Sequence, residues 1–269
     1  MKSNKIILLS LRKRLKFNNC KWKLNSLTIL VLTITLIPLF SSFNLVRKNV
    51  VYFKAEDGIT ITANNYFLKK TSPYILLFHQ EQSSRGEYDS IAERLVKIGY
   101  NCLAVDLRSG NKYAYIENET AKIAKAEGKP VEILESLIDI KAAINYAWNL
   151  NGQDVILMGS ASSASLILIE GKTNEHVKAI ISLSPGEYFQ PMFDMKSVLK
   201  DFSKKVFVGC SSIEFPYVQE MFSDISEEYK TIFKAVAGPG ARGSASLLSK
   251  NSTRDEYWLS LLIFFNSIR

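Results

Sequence analysis

Residues Asp154–Leu168 read Asp-Val-Ile-Leu-Met-Gly-Ser-Ala-Ser-Ser-Ala-Ser-Leu-Ile-Leu. An apolar run of β type, Val155–Met158, meets a glycine and a cluster of tiny residues, and an apolar stretch of helical length follows. A strand that breaks sharply into a helix can push one side chain out of the sheet. Where that side chain is a serine, in the pattern G-x-S-x-G, it becomes a nucleophile for acyl transfer. Two residues on from Gly159 stands Ala161, whose methyl group has no nucleophile to offer. A shifted register, small-x-Ser-x-small over Ser160–Ala164, offers Ser162 instead, and Ser160 is the other neighbouring hydroxyl. A one-residue step swings a side chain by about 100° around the following helix, so the registers are not equivalent.

The remaining inventory of reactive types is thin. The chain has two histidines, His79 and His176, and three cysteines. Cys102 and Cys210 fall in apolar strand-like runs, where a lone cysteine behaves as a small hydrophobe. No His, Cys or Asp spacing suggests a metal, and nothing calls for a cofactor. A Ser-x-x-Lys match at Ser197–Lys200 lies on a surface-like helix and is read as chance.

Charge is unevenly placed. Residues 1–48 hold ten of the 34 Lys and Arg and none of the 26 acids, which leaves 24 basic against 26 acidic residues, a net of −2, for the remainder. That body is not a nucleic-acid binder by charge. Residues 1–23 are the basic lead-in. Leu24–Val46 is then 23 residues without a charge, long enough at about 1.5 Å per residue to cross a hydrocarbon core. Eight positive charges ahead of it predict a cytoplasmic N-terminus and a body, residues 50–269, carried to the far side of the membrane. The alternative is a cleaved signal peptide that releases a secreted body. Against it stand the long basic lead-in, an apolar core longer than usual and no clear cleavage site before Asn44.

The elements that must position the elbow follow from periodicity. Val50–Lys54 and Ile59–Phe67 flank Asp57-Gly58 as a hairpin. Tyr74–Phe78, Asn101–Val105, Ala179–Leu183, Lys205–Gly209 and Thr231–Val236 read as buried strands. Helices are expected over Ser90–Ile98, Ile133–Asn149, Phe193–Phe202, Tyr217–Phe222 and Asp255–Ile268, with 111–129 a mobile loop or loose helix. Two strands followed by alternating strand–helix units predict an α/β fold, a mostly parallel sheet with helices on both faces. Its functional crevice lies beyond the carboxyl ends of the strands.

The ordered motifs Leu76-Leu-Phe-His-Gln80, Gly99–Gly110, Asn118-Glu-Thr-Ala121, Asp139–Ala147 and Ser184-Pro-Gly-Glu-Tyr-Phe189 resemble α/β hydrolases of the dienelactone-hydrolase-like group over about residues 50–269. The resemblance implies a nucleophile, an acid and a histidine in that chain order. Ala161 falls at its nucleophile position, where such proteins read G-S-S-Y-S-A-S. Glu214, just after the strand Lys205–Gly209, falls at its acid position. Their G-x-H-G-S segment corresponds to Gly240-Ala-Arg-Gly-Ser244, which places Arg242 at the histidine position. A guanidinium stays protonated and cannot take a proton from a serine. His79 and Gln80 fall in the oxyanion loop, and Ser160 and Ser162 would line the same pocket. Glu81, beside them, would oppose a developing oxyanion unless it points to solvent.

These readings imply a membrane-anchored pseudohydrolase: the fold kept, the Ser-His pair lost. Two alternatives stay open. One is an active esterase or dienelactone-hydrolase-like enzyme using Ser162 or Ser160; the other is a module that binds a small ester- or acyl-like ligand or a partner in the old pocket. Asn118-Glu-Thr and Asn251-Ser-Thr would be glycosylation acceptors in a host that modifies exported asparagines.

Overall fold

Eight strands make one sheet in the order β1-β2-β4-β3-β5-β6-β7-β8. The structure, a computed structural model, describes residues 47–269. The basic segment and the apolar run Leu24–Val46 lie outside the described residues. β1 (Arg47–Lys54) and β2 (Thr60–Phe67) form the expected hairpin, turned at Gly58 with φ +89°. β2 pairs antiparallel with β4 (Asn101–Val105). β3 (Tyr74–Phe78), β5 (Val155–Ser160), β6 (Val177–Leu183), β7 (Lys205–Gly209) and β8 (Lys230–Phe233) continue the sheet in parallel.

Every residue of β3, β4 and β5 is buried, as a strand covered on both faces must be. Their alternate side chains feed two cores. On one face Leu76, Leu103 and Leu157 meet α3 (Ser136–Asn151), α4 (Ser162–Thr173), α5 (Met195–Leu199) and α6 (Phe215–Met221). On the other Leu77, Ala104 and Met158 meet α1 (Asp89–Lys97) and α7 (Arg254–Ser267), which contribute Leu95, Trp258 and Phe265.

Several boundaries differ from expectation. Within 111–129 a definite helix, α2 (Glu119–Ala126), forms because the Asn118 side chain accepts the Ala121 N–H at its start. The Asn118 amide nitrogen donates inward to the Ser83 and Leu107 carbonyls, and the residue is buried, so it is a cap and not a glycosylation acceptor. The helix expected from Ile133 opens with a 3₁₀ turn, Ile133–Glu135, and ends where Gly152 adopts φ +68°. The Phe193–Phe202 helix is five residues long, capped by Asp194. β8 stops at Phe233: beyond it the Glu256 carboxylate takes the Val236 and Ala237 N–H groups.

Candidate active site

The chain leaves β5 at Ser160 and enters α4 at Ser162, and Ala161 between them has φ +52° and ψ −114°. A residue with a Cβ rarely adopts this backbone, at a cost on the order of 1–3 kcal/mol. The turn is held by the Ala161 N–H on Leu183 O at 2.8 Å and the Ala164 N–H on Ala161 O at 3.0 Å. Gly159 is required beneath it, since a Cβ there would stand 2.7 Å from the Ser163 carbonyl oxygen.

The neighbouring hydroxyls are engaged in holding loops together. Ser160 Oγ accepts the Ser244 N–H at 2.9 Å, and Ser162 Oγ accepts the Glu81 N–H at 3.1 Å. Ser163 Oγ donates to Phe78 O at 2.6 Å. Gly243, with φ +60°, lies so close that an added Cβ would meet Ser160 Oγ at 2.4 Å.

Glu214 stands between β7 and α6 and is 8% exposed. Its Oε2 accepts from Ser211 N at 2.9 Å, Ser211 Oγ at 2.8 Å and Ser184 Oγ at 2.9 Å. Arg242 Nε comes within 3.4 Å of Glu214 Oε1, and its guanidinium also donates to the Tyr188 hydroxyl. The ion pair is therefore one-pronged, with the Arg242 side chain 59% exposed, and not the two-pronged, shielded pair that such geometry could form. The Tyr188 hydrogen bond first, and the Glu214 charge after it, raise the Arg242 pKa. Ser184, at φ +57°, accepts the Gly243 N–H at 2.8 Å and so links the Glu214 and Arg242 loops.

His79 is wholly buried. Its Nδ1 donates to Gln80 O at 2.7 Å, and its Nε2 accepts the Leu107 N–H at 2.9 Å and faces the Asn118 amide at 3.1 Å. Burial pulls its pKa down. It is a neutral clasp between the ends of β3 and β4, with both ring nitrogens occupied. His176 lies at the other end of the sheet, where it stacks on Trp148 with centroids 4.3 Å apart and stands 3.9 Å from Asp154.

The loop after β3 has its amides in use. Gln80 N–H donates to Glu87 Oε2 at 3.2 Å, Glu81 N–H to Ser162 Oγ, and Gln82 N–H to Ser109 O at 3.2 Å. The Glu81 side chain is exposed, whereas Glu87 is buried and also accepts from Ser244 Oγ at 2.6 Å. Glu87 is the site residue that sequence reasoning missed. It lies in the 3₁₀ turn Arg85–Tyr88, and nothing in its neighbours marks it as a carboxylate that folding will bury. Of the other residues at the strand ends, Arg108 is buried between Asp139 and Asp57, and Asp106 holds Arg85. These are locks between elements.

The fold is similar to that of several solved structures. An esterase of Pyrococcus furiosus has 15% identity and a TM-score of 0.61, over 82% of this chain and 92% of that one. A dienelactone hydrolase of Anabaena variabilis has 16% identity and a TM-score of 0.60, over 83% of this chain and 99% of that one. This chain has the α/β-hydrolase fold. The 2,6-dihydroxy-pseudo-oxynicotine hydrolase shares that architecture at 12% identity and a TM-score of 0.59, over 86% of this chain and 71% of that one. No protein-family model matches the sequence, and no curated protein does. In an α/β hydrolase the nucleophile occupies the turn between the fifth strand and the next helix, with oxyanion donors from the residue after it and the loop after the third strand.

Proposed function

We propose that this α/β-hydrolase-fold protein is a membrane-anchored pseudohydrolase. One observation carries the reading: the strained turn Ser160–Ser162 carries the Ala161 methyl group where an acyl-transfer enzyme of this fold carries its serine. Three others support it. Arg242, a permanent cation, is the group that meets Glu214. Both nitrogens of His79 are committed to structure. The amides of Gln80, Glu81 and Gln82 are paired within the protein, one of them with the Glu87 carboxylate, which disfavours a second negative charge.

The test is an esterase and fluorophosphonate-labelling screen of the wild-type chain beside the double variant Ala161→Ser, Arg242→His. Wild type should neither label nor turn over p-nitrophenyl esters. The double variant supplies an alcohol on the turn and an imidazole beside Glu214, and should label at position 161. Labelling of the wild-type protein at Ser160 or Ser162, with turnover, would overthrow the proposal in favour of an active enzyme.

A further inference from the structure

The end of the body opposite the crevice is unevenly charged. Arg47 pairs in register with Phe67 at the close of β2, and the neighbouring Tyr66 pairs with Cys102 near the start of β4. Arg47 therefore lies at the end where the parallel strands begin, away from Ala161 and Glu214. Around it gather Lys48, Lys69 and Lys70 before β3, and Lys97 at the close of α1, while residues 67–73 and 97–101 contain no acid. Lys48 pairs with Asp89; Arg47, Lys69, Lys70 and Lys97 are exposed and meet no carboxylate among the described residues. At the far corner of the same end lysines and acids are mixed. Lys230 pairs with Glu227, the charges of Asp154 and Glu175 act on Lys204, and Asp201, Asp224 and Glu228 are neighbours in sequence. A cluster of cations without a paired carboxylate thus lies on the β1–β4 side, where the chain continues in sequence into the apolar run ending at Val46.

We propose that this basal patch is a docking surface for an anionic phospholipid bilayer, which holds the body with its base on the headgroups and its crevice turned away from the membrane. Uncompensated cations within a Debye length of an anionic leaflet are attracted to it individually and additively. The orientation rests on the anchoring reading above; the charge asymmetry does not.

The experiment uses the full chain with Cys20→Ser, and a single fluorophore placed by Thr71→Cys at the base or Ile213→Cys at the crevice end. Each is reconstituted in phosphatidylcholine vesicles with or without about 30% phosphatidylglycerol, and quenched with neutral acrylamide. Quenching at position 71 should fall at least about threefold with the anionic lipid, recover at high salt, and recover in Lys69→Glu/Lys70→Glu/Lys97→Glu. Position 213 should not respond. Equal quenching at position 71 in both lipids would overturn the proposal, and that comparison needs no charge variant. Alkaline carbonate separates the two readings. Extraction of the chain from the vesicles would defeat the anchor, while the lipid-charge dependence at position 71 still decides the patch.

Discussion

At the scale of single residues, the turn at Ala161 holds a conformation that suits glycine better than alanine. In an enzyme such strain presents the nucleophile; here there is none to present. Ala161→Gly should therefore leave the melting temperature unchanged or raise it, with a gain of about 0–2 kcal/mol after glycine's extra chain entropy is set against the relieved strain. A clear loss in thermal denaturation would mean the turn is not strained. The Glu214–Arg242 contact predicts an asymmetry. Glu214→Ala strips three hydrogen-bond donors of a buried acceptor and should cost about 1–3 kcal/mol in urea titration. Arg242→Ala removes a mostly exposed arm and should cost less than about 1 kcal/mol. Equal losses would show that the ion pair, and not the serine ring around Glu214, holds the two loops. His79 sets an acid limit. The unfolded chain takes up this proton near the ordinary value of 6.5 and the buried ring only at lower pH. Between those points the unfolded state holds more protons, so stability falls as pH falls, by up to about 1.4 kcal/mol per unit from this group. In His79→Gln the denaturation midpoint should be lower at pH 7 but should lose that part of its slope below pH 6.5.

Between elements, the buried charges act as rivets. Arg108 donates to Asp139 from its backbone N–H at 2.8 Å and from its guanidinium at 2.7 Å, and it reaches Asp57 at 2.7 Å. It thus fixes the end of β4 to α3 and to the β1–β2 turn. Burial pushes the Asp139 carboxyl up to about 6 against the pull of Arg108. Arg108→Ala would leave that carboxylate buried without its counter-charge, with only the backbone N–H of residue 108 still donating to it, at a cost of about 3–5 kcal/mol at neutral pH. The penalty should shrink toward acid pH, because protonation removes the stranded charge; a loss independent of pH would contradict this account. Strands were legible in sequence to within a few residues because β3, β4 and β5 are short runs buried on both faces. α2 was read as loose because its cap, Asn118, gains meaning only when its amide reaches Ser83 and Leu107.

For the molecule as a whole, the run Leu24–Val46 predicts that the chain fractionates with membranes and resists alkaline carbonate. A wholly soluble protein whose N-terminus lies near Asn44 would show instead that the run is a cleaved signal. The unpaired cations at the base are gathered by the assembled sheet from β1, the loop before β3 and the end of α1, and belong to no single segment.

The amino-acid order by itself determined the alternation of strands and helices, and with it the mostly parallel sheet, since periodicity is a local property of the chain. It also singled out Ala161, because the small residues around a sharp strand–helix turn are neighbours in sequence. What only the tertiary structure decided are the pairings across long separations. Glu87 meets Ser244 across 157 residues, and Ser184 stands between Glu214 and Gly243. Arg242, which the resemblance puts at the histidine position, lies mostly in solvent against Tyr188 and reaches Glu214 through Nε. Whether a carboxylate is buried, and which donors surround it, depends on where loops from distant strands converge, and no local pattern in the chain encodes that convergence.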